Sequence, residues 1–178
     1  MLSAMTRTLT VAVESSPPVE GVRLGIERMT VCALSEFPEH AIFDSSEMLA
    51  CVRQGLRAPI SGVAVLALDP HDVMRLVGRG SGAPDLSLVP RYLDLAGRLL
   101  AVLARPLARP FGREFETAAP ELAEGALAPC LLATHPLPQT AVLACQIRLD
   151  LESSRLPGVA YLLLDPKLTQ RVAQSLAA

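Results

Sequence analysis

The sequence predicts one α+β domain whose mostly antiparallel sheet is built from two related halves, with helices packed on it. Three observations predict this. A nine-residue block, Gly62-Val63-Ala64-Val65-Leu66-Ala67-Leu68-Asp69-Pro70, returns as Gly158-Val159-Ala160-Tyr161-Leu162-Leu163-Leu164-Asp165-Pro166, and Arg75 and Arg171 follow at the same offset. Upstream, Leu49-Ala50-Cys51 matches Leu143-Ala144-Cys145, and only the loop between the blocks differs in length. Finally, one long amphipathic stretch lies between the two copies. The period is too long for a solenoid, so two similar halves packed into one domain is the natural reading. They run over about 1–77 and 85–178, joined by a Gly-rich linker at 78–84.

Taken in order, Thr6 to Glu14 places Leu9, Val11 and Val13 in alternation and reads as a strand. Ser15-Ser16-Pro17-Pro18 interrupts it. Val22, Leu24 and Ile26 alternate again, and Met29 to Leu34 continues or adds a strand. Glu36 to Ser46 is polar and reads as a loop with a short helical turn. Glu47 to Leu56 and Ile60 to Leu68 form a hairpin whose second arm is apolar almost throughout, as a strand covered on both faces would be. Asp69 then suits an N-cap and Pro70 the first helical position, where no N–H is needed. Asp165 and Pro166 repeat that chemistry, and Pro166 to Ala177 closes the chain as an amphipathic helix.

Ser87 to Arg105 is the strongest helix, capped by Asp85 or Ser87. Leu88, Tyr92, Leu95, Leu99 and Leu103 form its apolar stripe, widened by Val89, Leu93, Ala96 and Leu100. Arg91, Asp94, Arg98 and Arg105 fall on the opposite side, with Asp94 and Arg98 spaced to pair. Pro106 and Pro110 are expected to end it. Pro120 to Leu132 reads as a second, shorter helix. Thr140 to Leu151 and Leu156 to Leu164 form the second hairpin.

Composition excludes several functions. A net charge of −2 gives no general attraction to nucleic acid or to an anionic membrane surface. Aromatic residues are 3% and Trp is absent, so a stacking platform for single strands is not expected. No apolar run is long enough to span a bilayer, and Met1 to Thr10 lacks a signal core, so a cytoplasmic protein without membrane insertion is expected. Cys32, Cys51, Cys130 and Cys145 contain no C-x-x-C pair, and the equivalent Cys51 and Cys145 read as small buried hydrophobes. The three His residues are too scattered for a zinc site. The Gly residues of the linker follow no phosphate-cradling pattern. Neither a metal nor a cofactor is expected. Ser45-Ser46, Ser153-Ser154 and His135 read as loop residues; an unrelated enzyme assembled by folding stays an alternative.

The repeated hairpin ending in Asp-Pro, joined to a long central helix, resembles the CheC and CheX chemotaxis phosphatases, whose architecture is shared by the middle domain of the flagellar switch protein FliM. The likeness is best over Glu47 to Leu176, and an equivalent of the long helix is not expected in the first half. The family's active motif is an acid followed three positions on by Asn, on the exposed face of the long helix, with a Pro further downstream in the longer version. The resemblance implies that the acid contacts a receiver domain and that the Asn orients water for attack on a phospho-aspartate. Carried over, these positions are Asp94, Gly97 and Pro120; a shift of one residue puts Arg98 in place of Gly97. The chain contains no Asn. Gly97 has no side chain to hold a water, and Arg98 has donors but no acceptor.

The resemblance therefore implies the fold with degenerate catalytic positions. The function expected is a non-catalytic binding or assembly protein in chemotaxis, motility or two-component signalling, docking a response-regulator receiver domain through Arg91, Asp94, Arg98 and Arg105. Alternatives are an ordinary solvated helix face, and a working phospho-aspartate phosphatase in which Asp94, Glu114 or Glu116 takes over the missing role. A Gln carboxamide brought beside Asp94 by the fold would overturn the non-catalytic reading. A homodimer is a further expectation, since half-duplicated sheets leave edge strands that invite pairing; Thr6 to Glu14 would cover or exchange such an edge.

Overall fold

A computed structural model gives the structure of the chain, described over residues 2–36, 49–58, 61–78, 88–114, 116–123, 141–152 and 154–165. Three helices are described: α1 (Leu2–Glu14), α2 (Pro70–Val77) and α3 (Leu88–Ala108). Seven strands form one sheet: β1 (Val22–Ala33), β2 (Ala50–Ala58), β3 (Gly62–Leu68), β4 (Glu116–Thr117), β5 (Glu121–Ala123), β6 (Ala141–Leu151) and β7 (Ser154–Leu164). The order is β1-β6-β7-β3-β2-β4, with β5 also on β2, and every pairing is antiparallel. The α+β fold with a mostly antiparallel sheet is thus as expected.

The two apolar runs that match in sequence are neighbours at the centre of the sheet. β3 pairs β7 from Gly62 opposite Leu164 to Ala67 opposite Val159. Being central, both are covered on their two faces, which is why neither alternates. The segments on either side interlock: β1 pairs β6, while β4 and β5 pair β2. One apolar cluster joins α1, α2 and α3 to the sheet through Val52, Leu66, Leu99, Leu143 and Leu162. A second, on the opposite face, holds Cys51, Val65, Val142, Ala144 and Tyr161, while Cys145 belongs to the first. Cys51 and Cys145 are fully buried, as their apolar settings imply, and burial pushes the Cys145 thiol up to about 12.

The first hairpin and its cap form as the residues dictate. Asp69 accepts a 2.7 Å hydrogen bond from the His71 N–H and Pro70 opens α2. The linker beyond Gly78, the cap of α3 and the helix expected over Pro166 to Ala177 lie outside the described residues, as do Cys130, His135, Ser45, Ser46 and Ser153.

Three expectations are corrected. Thr6 to Glu14 is not a strand but belongs to α1. Leu9, Ala12 and Val13 are buried while Val11 is 61% exposed, and that spacing satisfies a helix against β1 and α3. A helix therefore does stand ahead of β1 to β3, where none was expected; it carries one acid, Glu14, at its last position. α3 does not stop at Pro106 but runs through it to Ala108. Pro106 removes one backbone hydrogen bond, yet Pro106, Leu107 and Ala108 are all buried, and that burial holds the last turn in place. The expected helix from Pro120 begins instead with β5, which pairs β2 from Glu121 opposite Arg53 to Ala123 opposite Cys51; residues beyond Ala123 lie outside the described set.

Candidate functional site

α3 sets out the four side chains expected to face solvent. Its buried stripe includes Tyr92, Leu95, Ala96, Leu99, Leu100 and Leu103, so the helical period turns Arg91, Asp94, Arg98 and Arg105 outward, and all four are exposed. Tyr92 pins the helix to the sheet by donating a 2.8 Å hydrogen bond to the Ala50 carbonyl. Burial, and then the nearby Cys51, push its phenol above the ordinary value.

Arg98 is the hub of the exposed face. Its Nη1 donates to Glu20 Oε1 at 2.8 Å, and its Nε lies 3.6 Å from Asp94 Oδ2. Glu20 sits in the tight turn that leads into β1, where Val19 and Val22 exchange backbone hydrogen bonds of 2.9 Å. Its φ is 51° and that of Gly21 is 81°. Sequence reasoning missed Glu20; the Val-Glu-Gly-Val turn ahead of a strand was the available signal, but nothing local points it at α3. Arg105 makes no ion pair among the described residues. Together with Pro17, Pro18, Val102 and Ala101, Arg98 and Arg105 line an open groove of about 300 Å³.

One residue before Arg98 the helix is closed. Gly97 is buried, and a Cβ there would lie 3.1 Å from Pro120 Cγ and 3.6 Å from Gln54 Nε2. The segment between β4 and β5 crosses at this point. Ala118 donates its N–H to the Gly55 carbonyl at 2.8 Å and accepts a 3.1 Å hydrogen bond from Gln54 Nε2. Gln54 is 6% exposed, and its Oε1 is buried without a hydrogen-bond partner among the described residues. A carboxamide does therefore stand beside position 97, supplied by β2, but under Pro120 rather than at the surface. Its origin on a strand far away in sequence left no local signal.

The structure thus brings Pro120 onto Gly97 and leaves Asp94 on the exposed side of the same turn. Glu114 and Glu116 are exposed on the segment that follows α3, where β4 pairs the end of β2. Among the described residues no group of three or more His, Cys, Asp or Glu is placed to hold a metal ion, and no helix is long and apolar enough to cross a membrane.

No protein-family model matches this sequence, and no curated protein matches it. Solved structures do. Thermotoga maritima FliY superposes with a TM-score of 0.60 at 14% identity, over 97% of this chain and 88% of that one. The FliM middle domain of Vibrio alginolyticus gives 0.60 at 13% identity, over 98% of both chains. This chain has the fold of the FliM middle domain. FliM from H. pylori, in its complex with SpeE, is also similar, with a TM-score of 0.53 at 13% identity over 96% and 89% of the two chains. The FliM-like fold bears out the expected α+β fold with its mostly antiparallel sheet.

Proposed function

We propose that this FliM-like chain is a non-catalytic binding or assembly protein of chemotaxis, motility or two-component signalling, acting in the cytoplasm and docking a protein partner through the exposed face of α3. The partner implied by the resemblance to CheC and CheX is a response-regulator receiver domain. One observation carries the reading: Gly97, the position of the water-orienting amide in that resemblance, is buried under Pro120, while Arg91, Asp94, Arg98 and Arg105 around it stay exposed. A hydrolytic site works by placing water and charge, and a covered glycine places neither. That H. pylori FliM forms a complex with SpeE is in keeping with partner binding on this fold. The matched blocks, paired with each other as β3 and β7, support reading the domain as two copies of one unit.

The test is to titrate this protein with receiver domains phosphorylated by acetyl phosphate. The expected result is binding that Arg98→Glu weakens at least tenfold, with dephosphorylation at the spontaneous rate. Unchanged affinity in the variant counts against the α3 face.

A second reading, an active phospho-aspartate phosphatase, has Gln54 in its favour. In that reading the 118–120 segment lifts, and the Gln54 carboxamide does from β2 what a side chain at position 97 would do, with Asp94 beside it. Phosphatase activity abolished by Gln54→Leu in a protein that still binds the receiver would establish it. No acceleration by the unmodified protein would remove it.

A further inference from the structure

Arg91, Arg98 and Arg105 are spaced seven residues apart, so they line up along one side of α3 at intervals of about 10 Å. The two C-terminal members stand on the groove whose other side is the connection between α1 and β1. Pro17 and Pro18 form that side, and Ala101 and Val102 supply an apolar floor. The chain as a whole is slightly acidic, with a net charge of −2, whereas the groove is lined by two guanidinium groups, Arg98 and Arg105, against one carboxylate, Glu20. The acids near it are unevenly placed. Asp94 and Glu20 both meet Arg98, and Arg105 meets none among the described residues.

Glu20 stands out further. The first central position of a tight turn with positive φ suits Gly, Asn or Asp, and an unbranched Glu there is held against its own preference. Its carboxylate reaches across the groove to Arg98 at 2.8 Å. The ion pair is half-exposed at both ends, 53% for Arg98 and 51% for Glu20, so an outside carboxylate has access to the same guanidinium.

We infer that the groove between the α1–β1 turn and α3 binds an acidic helical segment of a protein partner. Such a segment presents two carboxylates about 10 Å apart to Arg98 and Arg105, and Glu20 is the resident carboxylate that it displaces from Arg98. The apolar floor takes the small hydrophobic side chain between the two acids. Guanidinium groups suit this role because each offers a planar fork of donors to a carboxylate. The inference rests on the docking reading of α3 and adds the chemistry of the occupant and the contact that competes with it.

The experiment uses the full chain and a fluorescein-labelled helical peptide with two Glu residues seven positions apart. A second peptide has Gln at both positions. The expected result is saturable binding of the Glu peptide that weakens steeply with salt and at least tenfold weaker binding of the Gln peptide. Arg105→Glu is expected to weaken the Glu peptide tenfold or more. Glu20→Gly, which removes both the competing carboxylate and the unfavourable φ, is expected to tighten it about threefold without loss of fold by circular dichroism. No preference for the Glu peptide, or indifference to Arg105→Glu, overturns the inference. So does Arg105-dependent binding to phosphatidylserine vesicles in place of the peptide. Receiver binding that ignores Arg105→Glu would sink the groove and leave the receiver reading standing. Peptide binding with no receiver binding would do the reverse.

Discussion

Gly97 and Arg98 are consecutive on α3, about 100° apart around the helix, and they belong to different environments. Gly97 lies under Pro120, and Gln54 ties down the strap that Pro120 belongs to. Arg98 lies in solvent, shared between Glu20 and Asp94. The difference teaches that position along a helix says little about access; what crosses the helix decides it. Here a segment between two very short strands closes one side of a turn and leaves the other open. A motif read as spacing alone puts Asp94 and Gly97 on one exposed face, and the fold separates them.

The comparison is broken most directly by giving position 97 a side chain. Gly97→Asn would place there the amide of the CheC and CheX motif, but its Cβ meets Pro120 at 3.1 Å. Overpacking of this kind costs about 1–3 kcal/mol, so the urea midpoint should fall by that equivalent, with no gain of phosphatase activity. Unchanged stability would mean that the strap lifts freely and that the closed side is open in solution.

Tyr92 sharpens the closed side by a smaller amount. Tyr92→Phe removes its hydrogen bond to Ala50 and should cost about 0.5–1.5 kcal/mol near neutral pH. The phenol is raised above its ordinary value by burial. Above about pH 10 the unfolded phenol ionises while the native one keeps its proton, so the native state binds more protons and stability falls as pH rises. This stabilisation is complete below that pH and is lost as pH climbs toward the folded value. The phenylalanine variant should show a shallower decline in the same alkaline range; parallel curves would refute the assignment.

On the open side the effect should be least. Arg98→Ala removes two exposed ion pairs, worth about 0–1 kcal/mol at low salt and less at high salt. A melting temperature that drops by many degrees and ignores salt would show that Arg98 is structural, and the docking reading of that face would lose its basis.

Some of this was legible without coordinates. The exposed and buried sides of α3 follow from helical period, the Asp69 cap from an acid ahead of a proline, and the two hairpins from apolar runs bounded by turns. Three local readings failed for a common reason. Leu9, Val11 and Val13 suit a strand as well as Leu9, Ala12 and Val13 suit a helix, and packing against β1 and α3 made the choice. Pro106 ends a helix by its own chemistry, but burial of Pro106 to Ala108 outweighed it. Glu121 to Ala123 joined a strand because β2 offered an edge.

By itself the sequence determined the antiparallel hairpins, the Asp69 cap with Pro70 behind it and the lack of any Asn, because these depend on residue type and short-range geometry. Only the tertiary structure decided that Gln54 and Pro120 close over Gly97 and that Glu20 meets Arg98. Those contacts join segments 23 to 78 residues apart in the chain. No local propensity encodes which distant side chain arrives; that is settled by how the sheet pairs and where the helix lies on it.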